Sequence, residues 1–163
     1  MMKMNRKLIK WSLGRSALAG VSLLAMAVAA MAFSIPTIDL DGQTNMQRVV
    51  DQEKGQYLGH PSTVMLEDGK TIYCVYPRGH GKGALLLKRS DDRGWSWSER
   101  LSVPESWATS LETPHMYRVV DAEGKKRLMV WSALYPARFA LSEDDGQSWG
   151  ELQPAGDWGG IVA

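Results

Sequence analysis

The sequence predicts an all-β fold built from repeated antiparallel units, and three observations support this fold class. The pattern Ser, any, Asp, any, Gly, any, any, Trp occurs at residues 90–97 and returns 52 positions later, at residues 142–149. Continuous apolar runs at residues 85–87 and 128–131 are typical of strands that are covered on both faces. Beyond residue 32, no stretch has sustained helical periodicity. We therefore expect equivalent sheets that share one turn design.

Each copy of the pattern has the composition of a tight hairpin turn. Its glycine supplies the positive φ that such a turn needs, and its Asp and Ser side chains can bond the backbone amides of the same turn. The Trp that follows can bury its ring between neighbouring strands. We expect these Ser, Asp and Trp residues to stabilise the unit and to perform no chemistry.

The pattern resembles the Asp box, or BNR repeat, of the sialidase (neuraminidase) superfamily. The resemblance rests on two full matches at blade-length spacing and covers residues 58–163. Members of that superfamily are six-bladed β-propellers with one Asp box on the outer hairpin of several blades. At about 52 residues per blade, the resemblance implies an N-terminal fragment of about two and a half blades. The remaining propeller blades are then the first partners we expect.

The N-terminus has the three parts of a secretory signal peptide, which we assign to residues 1–32. A basic region precedes an apolar run at residues 17–33, and small residues stand two apart at Ala30 and Ala32. We expect cleavage after Ala32 and a secreted or periplasmic protein. The alternative is an uncleaved anchor, which would be the only contact with a membrane.

Net charge gives no support for one class of function, and the cysteine count excludes one covalent cross-link. Removing residues 1–32 takes away five of the 19 Lys and Arg and none of the 18 Asp and Glu, which leaves a net charge of −4. A mildly acidic chain without a basic block gives no support for nucleic-acid binding. Cys74 is the one cysteine, so it cannot form an intrachain disulfide, and its apolar surroundings in the sequence predict a buried small hydrophobe.

Residues 33–57 are polar and irregular, and we assign them to a linker. The alternative for the short run at residues 47–51 is a strand that closes the ring by completing the last blade. The propeller domain then occupies residues 58–163, with blades one, two and the start of a third.

Both repeats predict four strands. The strands of the first repeat are expected at residues 62–66, 71–76, 84–89 and 97–103. Those of the second are expected at residues 116–120, 127–132, 137–141 and near residue 151. An Asp-Gly turn at residues 67–70 separates the first two strands.

Hairpin geometry restricts the candidate site to a few connections. In a four-stranded antiparallel blade, the connection into the first strand and the one between the second and third strands lie on one face, opposite the Asp-box turn. The segments on that face are residues 57–61, 76–83, 111–115, 133–138 and 157–160.

These segments contain all three histidines of the chain, together with charged and aromatic residues that can grip hydroxyls and a carboxylate or stack on a sugar. The predicted substrate-binding residues are His60, Arg78, Lys82, Glu112, His115, Tyr135 and Arg138, and Asp157 and Trp158 share the face. His80 is the candidate for catalytic proton transfer. The alternative is that surface loops are polar anyway. The histidines are dispersed, so we expect no metal and no other cofactor.

The resemblance also implies roles, and this sequence departs from the family pattern at two of them. Sialidases hold the carboxylate of sialic acid with three arginines and use an Asp as acid/base and a Tyr, assisted by a Glu, as nucleophile. The family has Arg-Ile-Pro just before the first inner strand, and the corresponding stretch here is residues 58–62, which keep the proline as Pro61 and lack the arginine; His60 is the closest match by position. Arg78 matches another substrate-contacting arginine. The family's acid/base Asp is not matched, because residues 77–83 contain no carboxylate.

Three functions are consistent with these features. The first is an exported sialidase-like glycoside hydrolase, of exo-alpha-sialidase type, acting on extracellular glycans. The second is a non-catalytic Asp-box propeller that binds a glycan or a protein, which the missing Arg and Asp favour. The third is a glycosidase for a sugar other than sialic acid, for which a His in place of the carboxylate-gripping Arg is expected.

Overall fold

The structure, a computed structural model, describes residues 36–134 and 136–157. The predicted signal peptide, Tyr135, Trp158 and the predicted start of a third blade lie outside the described residues. The chain divides into two compact units, Met1–Met46 and Gln47–Ala163. The described part of the first unit is exposed and contains a 3-10 helix at Thr44–Met46. Within residues 36–134 and 136–157, the helices lack the length and hydropathy needed to cross a bilayer.

The second unit contains two antiparallel sheets, which confirms the all-β class. The first sheet has the order β1-β2-β3, with strands at Ser62–Met65, Ile72–Pro77 and Leu85–Ser90. The second has the order β4-β5-β6-β7, with strands at Pro114–Val120, Lys126–Ser132, Arg138–Ser142 and Gln153–Pro154. Neighbours in each sheet are consecutive in the chain, so both are meanders. These strands fall at the predicted places, within about two residues.

One hydrophobic core lies between the two sheets. Alternation along the strands turns Tyr73, Val75 and Leu87 of the first sheet toward it, and Met116 and Val130 of the second. The side chains that alternate with these in the first sheet point to its other face, where Cys74 is buried with 1% of its surface exposed. Burial raises the pKa of the Cys74 thiol to about 11, and the prediction of a buried cysteine is confirmed.

The two Asp-box turns have the same hydrogen-bond network. In the first, the Ser90 hydroxyl accepts from the amide of Gly94 at 2.8 Å and donates to Asp92 Oδ1 at 2.7 Å, and Asp92 accepts from the Ser96 amide at 2.9 Å. The second repeats each of these bonds, with matching distances of 2.7, 2.8 and 2.9 Å. The residues of the second network are Ser142, Asp144, Gly146 and Ser148. The structural role predicted for these residues is confirmed.

Box aspartates make the folded state sensitive to acid. Hydrogen bonds from the Ser96 hydroxyl and amide, and from Ser90, lower the pKa of Asp92 from 3.8 to about 2. A pKa below the unfolded value means that the stabilisation is complete above about pH 4 and is lost as the pH falls through 2. We expect Asp92→Asn to lower the thermal midpoint at pH 6, and to differ less from the parent as the pH approaches 2.

Asp144 provides the matched comparison for this prediction. The pKa of Asp144 is also lowered, chiefly by its hydrogen bonds from Ser148. Thermal melts from pH 2 to pH 7 should therefore give curves of the same shape for Asp92→Asn and Asp144→Asn. If the thermal midpoint of either variant fell with pH as steeply as that of the parent, the result would contradict the stabilising role assigned to the two ionised aspartates.

The prediction of a strand at residues 97–103 is wrong. Residues 97–103 run beside β3 through only two backbone bonds, Ser98 N to Arg89 O and Leu101 N to Leu87 O, both 2.8 Å. The amide of Arg89 donates to the Ser98 hydroxyl at 3.0 Å instead of to a carbonyl, so a side chain interrupts the ladder. Residues 47–51 form no strand in this structure. Asp51, at the end of that run, contacts the first sheet through Tyr76 and Lys88.

A 3-10 helix at Glu105–Thr109, which the sequence did not predict, closes one side of the core. Trp107 is fully buried, and its indole N–H donates to the carbonyl of Gly150 at 3.2 Å. Its ring meets that of Trp149 edge to face, with centroids 5.3 Å apart. The Ser106 hydroxyl accepts from the amide of Leu152 at 2.8 Å. The second box Trp is thus anchored by an aromatic from outside the box.

Candidate functional site

The candidate loops all leave one end of the two sheets. Strand pairing places the start of β1 beside the end of β2, and the end of β2 beside the start of β3. In the second sheet, Pro114 pairs with Ser132, which pairs with Arg138. We call this end the loop end; its described residues are 57–61, 78–84, 110–115, 133–134 and 136–137. The Asp-box turns leave the opposite end, which we call the box end. This arrangement agrees with the predicted hairpin geometry.

Contacts between the sheets bring their loop ends together. The amide of Met116 donates to the Ser62 hydroxyl at 2.9 Å, which joins the starts of β1 and β4. The amide of Gly83 donates to the carbonyl of Ser110 at 3.3 Å. Gly81 lies so close to Glu112 that a Cβ on the glycine would be 3.6 Å from Oε1 of that carboxylate. Glu112 therefore borders the loop that carries His80.

Three aromatic rings meet at the loop end. The centroids of His60 and His80 are 4.8 Å apart at 74°, and those of Tyr57 and His80 are 5.2 Å apart at 58°. Tyr57 and His60 are 6.3 Å apart, and all three residues are exposed. The structure thus brings together two of the three predicted histidines and adds Tyr57, which opens a predicted candidate segment but was not among the predicted site residues.

Glycines shape the loop that presents His80. Gly79, Gly81 and Gly83 have φ values of 153°, 76° and 126°. A Cβ at Gly79 would lie 2.4 Å from the carbonyl oxygen of Lys82, and one at Gly83 would lie 2.5 Å from that of Arg78. Other residues cannot follow this path without moving the backbone, because their Cβ atoms would clash. These glycines therefore allow the path of the loop, and Lys82 is exposed on it.

Arg78 lies beside a carboxylate that sequence reasoning missed. Glu53 forms an ion pair and hydrogen bonds with Arg78, and a second ion pair with Arg100 at 2.9 Å. Hydrogen bonds from these two arginines hold the pKa of Glu53 below its usual value. Glu53 is 25 residues before Arg78 and carries no motif, so no local pattern could have found it. Half of the Arg78 side chain is still exposed.

A neighbouring cluster on the same face of the first sheet fixes the segment that contains Glu53. The Tyr76 hydroxyl donates to Asp51 at 2.6 Å, and Arg100 donates to the same carboxylate at 2.8 Å. Burial opposes the ionisation of Asp51, but these bonds outweigh it and lower the pKa. Burial first, then the bond to Asp51, raises the pKa of Tyr76, so the phenol stays protonated. The groove beside this cluster has a volume of about 470 Å³.

Two other predicted site residues are engaged in packing contacts. Arg138 donates to the hydroxyl of Thr109 at 2.8 Å and to its carbonyl at 2.6 Å, so it holds the 3-10 helix. His115 stacks on Tyr117 at 6.3 Å along β4. The structure does not bring either of them to the His60 and His80 rings by any described contact. Asp157 lies at the end of the described residues, and Tyr135 lies outside them.

A larger groove lies at the box end and carries paired charges. Its volume is about 640 Å³, and its lining includes Glu67, Arg118 and Lys126. Glu67 pairs with Arg118 at 2.7 Å and with Lys126 at 2.7 Å. Volume alone would favour this groove as a site. We favour the loop end, because its aromatic and imidazole rings are exposed, whereas the box-end charges already neutralise one another.

The loop end offers polar and aromatic contacts. Within residues 36–134 and 136–157, no group of three or more His, Cys, Asp or Glu could hold a metal ion. Imidazole and carboxylate groups at His60, His80 and Glu112 can donate or accept protons, and the aromatic faces can stack.

Comparison with known proteins adds no further identification. No protein-family model, curated protein or solved structure matches the chain.

Proposed function

We propose that the chain supplies about two and a half blades of an exported, six-bladed β-propeller of sialidase type. In this proposal the whole protein is a glycoside hydrolase that acts on extracellular glycans at the loop end. The observation that carries the proposal is the pair of Asp-box turns with one hydrogen-bond network, both opposite the loops that hold His60 and His80.

The register of the two sheets supports a propeller. Ser90 and Ser142 occupy equivalent places, so Leu87 of the first sheet corresponds to Phe139 of the second. Leu87 lies in the face that the second sheet covers. The equivalent face of the second sheet carries Phe139 and Leu141, which are large, apolar and half-buried. A third sheet packed on this face would repeat the way in which the second sheet packs on the first. Successive blades of a propeller pack on one another in this way.

The composition of the loop end supports a carbohydrate ligand. Exposed aromatic and imidazole rings at Tyr57, His60 and His80 combine an apolar face with a polar edge, which suits a ligand that is both ring-shaped and hydroxylated. Glu112 and Arg78 add one carboxylate and one cation within the same group of loops. His80, in the loop that borders Glu112, is the candidate for proton transfer.

A non-catalytic glycan-binding propeller is the second candidate. Two observations favour it: Arg78 is already paired with Glu53, and the loop at residues 77–83 has no carboxylate of its own. Release of sugar from a glycan panel by the purified protein, with every repeat that its gene encodes, separates the two candidates. The panel should contain sialylated and neutral glycans, because His60 in place of an arginine favours a sugar without a carboxylate.

Arg78→Ala tests the loop end as the substrate site. We expect it to raise KM about tenfold or more, because a half-exposed cation is lost from the site. The fold should survive, because Glu53 keeps its ion pair with Arg100. The measurement is steady-state hydrolysis of the most active glycan from the panel.

Arg118→Ala is the matched control for this prediction. Arg118 is also a half-exposed arginine paired with a glutamate, Glu67, but it lies at the box end. We expect its KM to equal that of the parent. An unchanged KM in Arg78→Ala would remove Arg78 from the site, and a raised KM in Arg118→Ala alone would move the site to the box end. Binding to the panel without any hydrolysis would favour the non-catalytic propeller.

A further inference from the structure

We infer that the rings of Tyr57, His60 and His80 form a stacking subsite for a single pyranose ring, and that Tyr57 is its principal contact. The inference rests on the proposed glycan function and specifies how the glycan is held. The three rings, which we call the aromatic corner, have centroids 4.8 to 6.3 Å apart.

Local geometry fixes Tyr57 in an exposed position. A Cβ on Gly59 would lie 2.3 Å from Cε1 of Tyr57 and 2.5 Å from its hydroxyl oxygen, so the ring lies directly over the glycine. Any larger residue at position 59 would push the ring away. Yet 53% of Tyr57 remains exposed to solvent. A large aromatic ring supported from beneath and open above is suited to receive a ligand.

Backbone strain at His60 supports a functional role for the same corner. His60 has a φ of 51° and directly precedes Pro61. A non-glycine residue in the left-handed region is uncommon, and the residue before a proline is normally extended. Such conformations persist only where the surrounding structure imposes them, and they cluster at binding sites. Here the strain places the His60 ring against His80.

The shape of the corner favours a pyranose over a flat ligand. The three ring planes are inclined to one another by 54° to 74°, so they do not form a parallel slot. A planar base can lie flat on only one such ring. A chair-shaped sugar presents C–H groups in several directions to the negative faces of the rings, and the polar edges of Tyr57 and the histidines can bond its hydroxyls.

Binding of simple methyl glycosides to the full chain tests this inference. The probes are methyl β-galactoside, whose one face carries a continuous patch of C–H groups, and methyl α-mannoside, with adenosine monophosphate as the planar probe. We expect Tyr57→Ala to weaken galactoside binding about five- to tenfold in saturation-transfer NMR titrations, and Tyr57→Phe to weaken it less than twofold. Gly59→Ala should weaken it as much as Tyr57→Ala, because it displaces the ring.

Tyr117→Ala is the control, because Tyr117 is 42% exposed and also stacks on a histidine, His115. It should bind like the parent, and near-ultraviolet circular dichroism should show that each variant is folded. If Tyr57→Ala binds the galactoside as tightly as the parent does, the aromatic corner is not the subsite. That result would not contradict the proposed function. Failure of the parent to bind any glycoside would overturn the corner, and binding of adenosine monophosphate alone would do the same. Hydrolysis of the glycan panel would still decide the proposed function separately.

Discussion

Trp107→Ala should remove about 3 to 5 kcal/mol from the free energy of unfolding. Trp107 is fully buried, and its truncation opens a cavity the size of an indole between the sheets. It also leaves the Gly150 carbonyl without its donor and takes away the edge-to-face partner of Trp149. Since a domain of this size is stable by about 5 to 15 kcal/mol, the variant is expected to be marginally folded. Urea denaturation followed by far-ultraviolet circular dichroism measures the change.

Trp95→Ala is the control for the loss of an indole as such. Trp95 is 63% exposed, and its described contact is the Arg48 guanidinium, 4.0 Å from the ring centroid. An exposed cation–π pair contributes about 0.5 to 1 kcal/mol, so this variant should stay within about 1 kcal/mol of the parent. Equal losses in the two variants would contradict the position of Trp107 in the core.

The parts of the fold that the sequence predicted are those determined by local chemistry. A Ser, an Asp and a Gly at fixed offsets complete their hydrogen bonds within one turn, so the repeated turn could be predicted without knowledge of the rest. Apolar runs, which are also local features of the sequence, predicted strands in both sheets. The strand predicted at residues 97–103 shows the limit of such local reasoning. There the Ser98 hydroxyl takes the place of a backbone acceptor, and strand propensity does not contain that information. The 3-10 helix around Trp107 is too short to give a periodic signal.

The candidate site was predictable in place and less so in detail. Strand order alone determines which loops share an end, so His60 and His80 were placed together correctly. Side-chain partners depend on contacts across long sequence separations. Arg138 turns to Thr109, 29 residues away, and Arg78 turns to Glu53, 25 residues away. No pattern within one repeat contains that information.

Gly146→Ala tests the packing of one repeat on the next, on which the proposed propeller and the position of the candidate site both depend. Gly146 has a φ of 86°, and a Cβ there would lie 2.5 Å from Cζ of Tyr73, in the first sheet. We expect a loss of about 2 to 5 kcal/mol, from left-handed strain and from a clash in a packed core. Gly94 occupies the same place in the first box with a φ of 85°, but its Cβ would meet atoms only at 3.8 Å.

The most direct test of the account is therefore the difference in unfolding free energy between Gly146→Ala and Gly94→Ala, measured by urea denaturation. Both substitutions carry the same backbone strain, so the difference isolates the contact of the second box with the first sheet. We predict that Gly146→Ala costs about 1 to 3 kcal/mol more, and that the excess disappears when Tyr73→Ala is the background. Equal costs in the two boxes, or an excess that survives without the Tyr73 ring, would contradict the stacking of consecutive repeats.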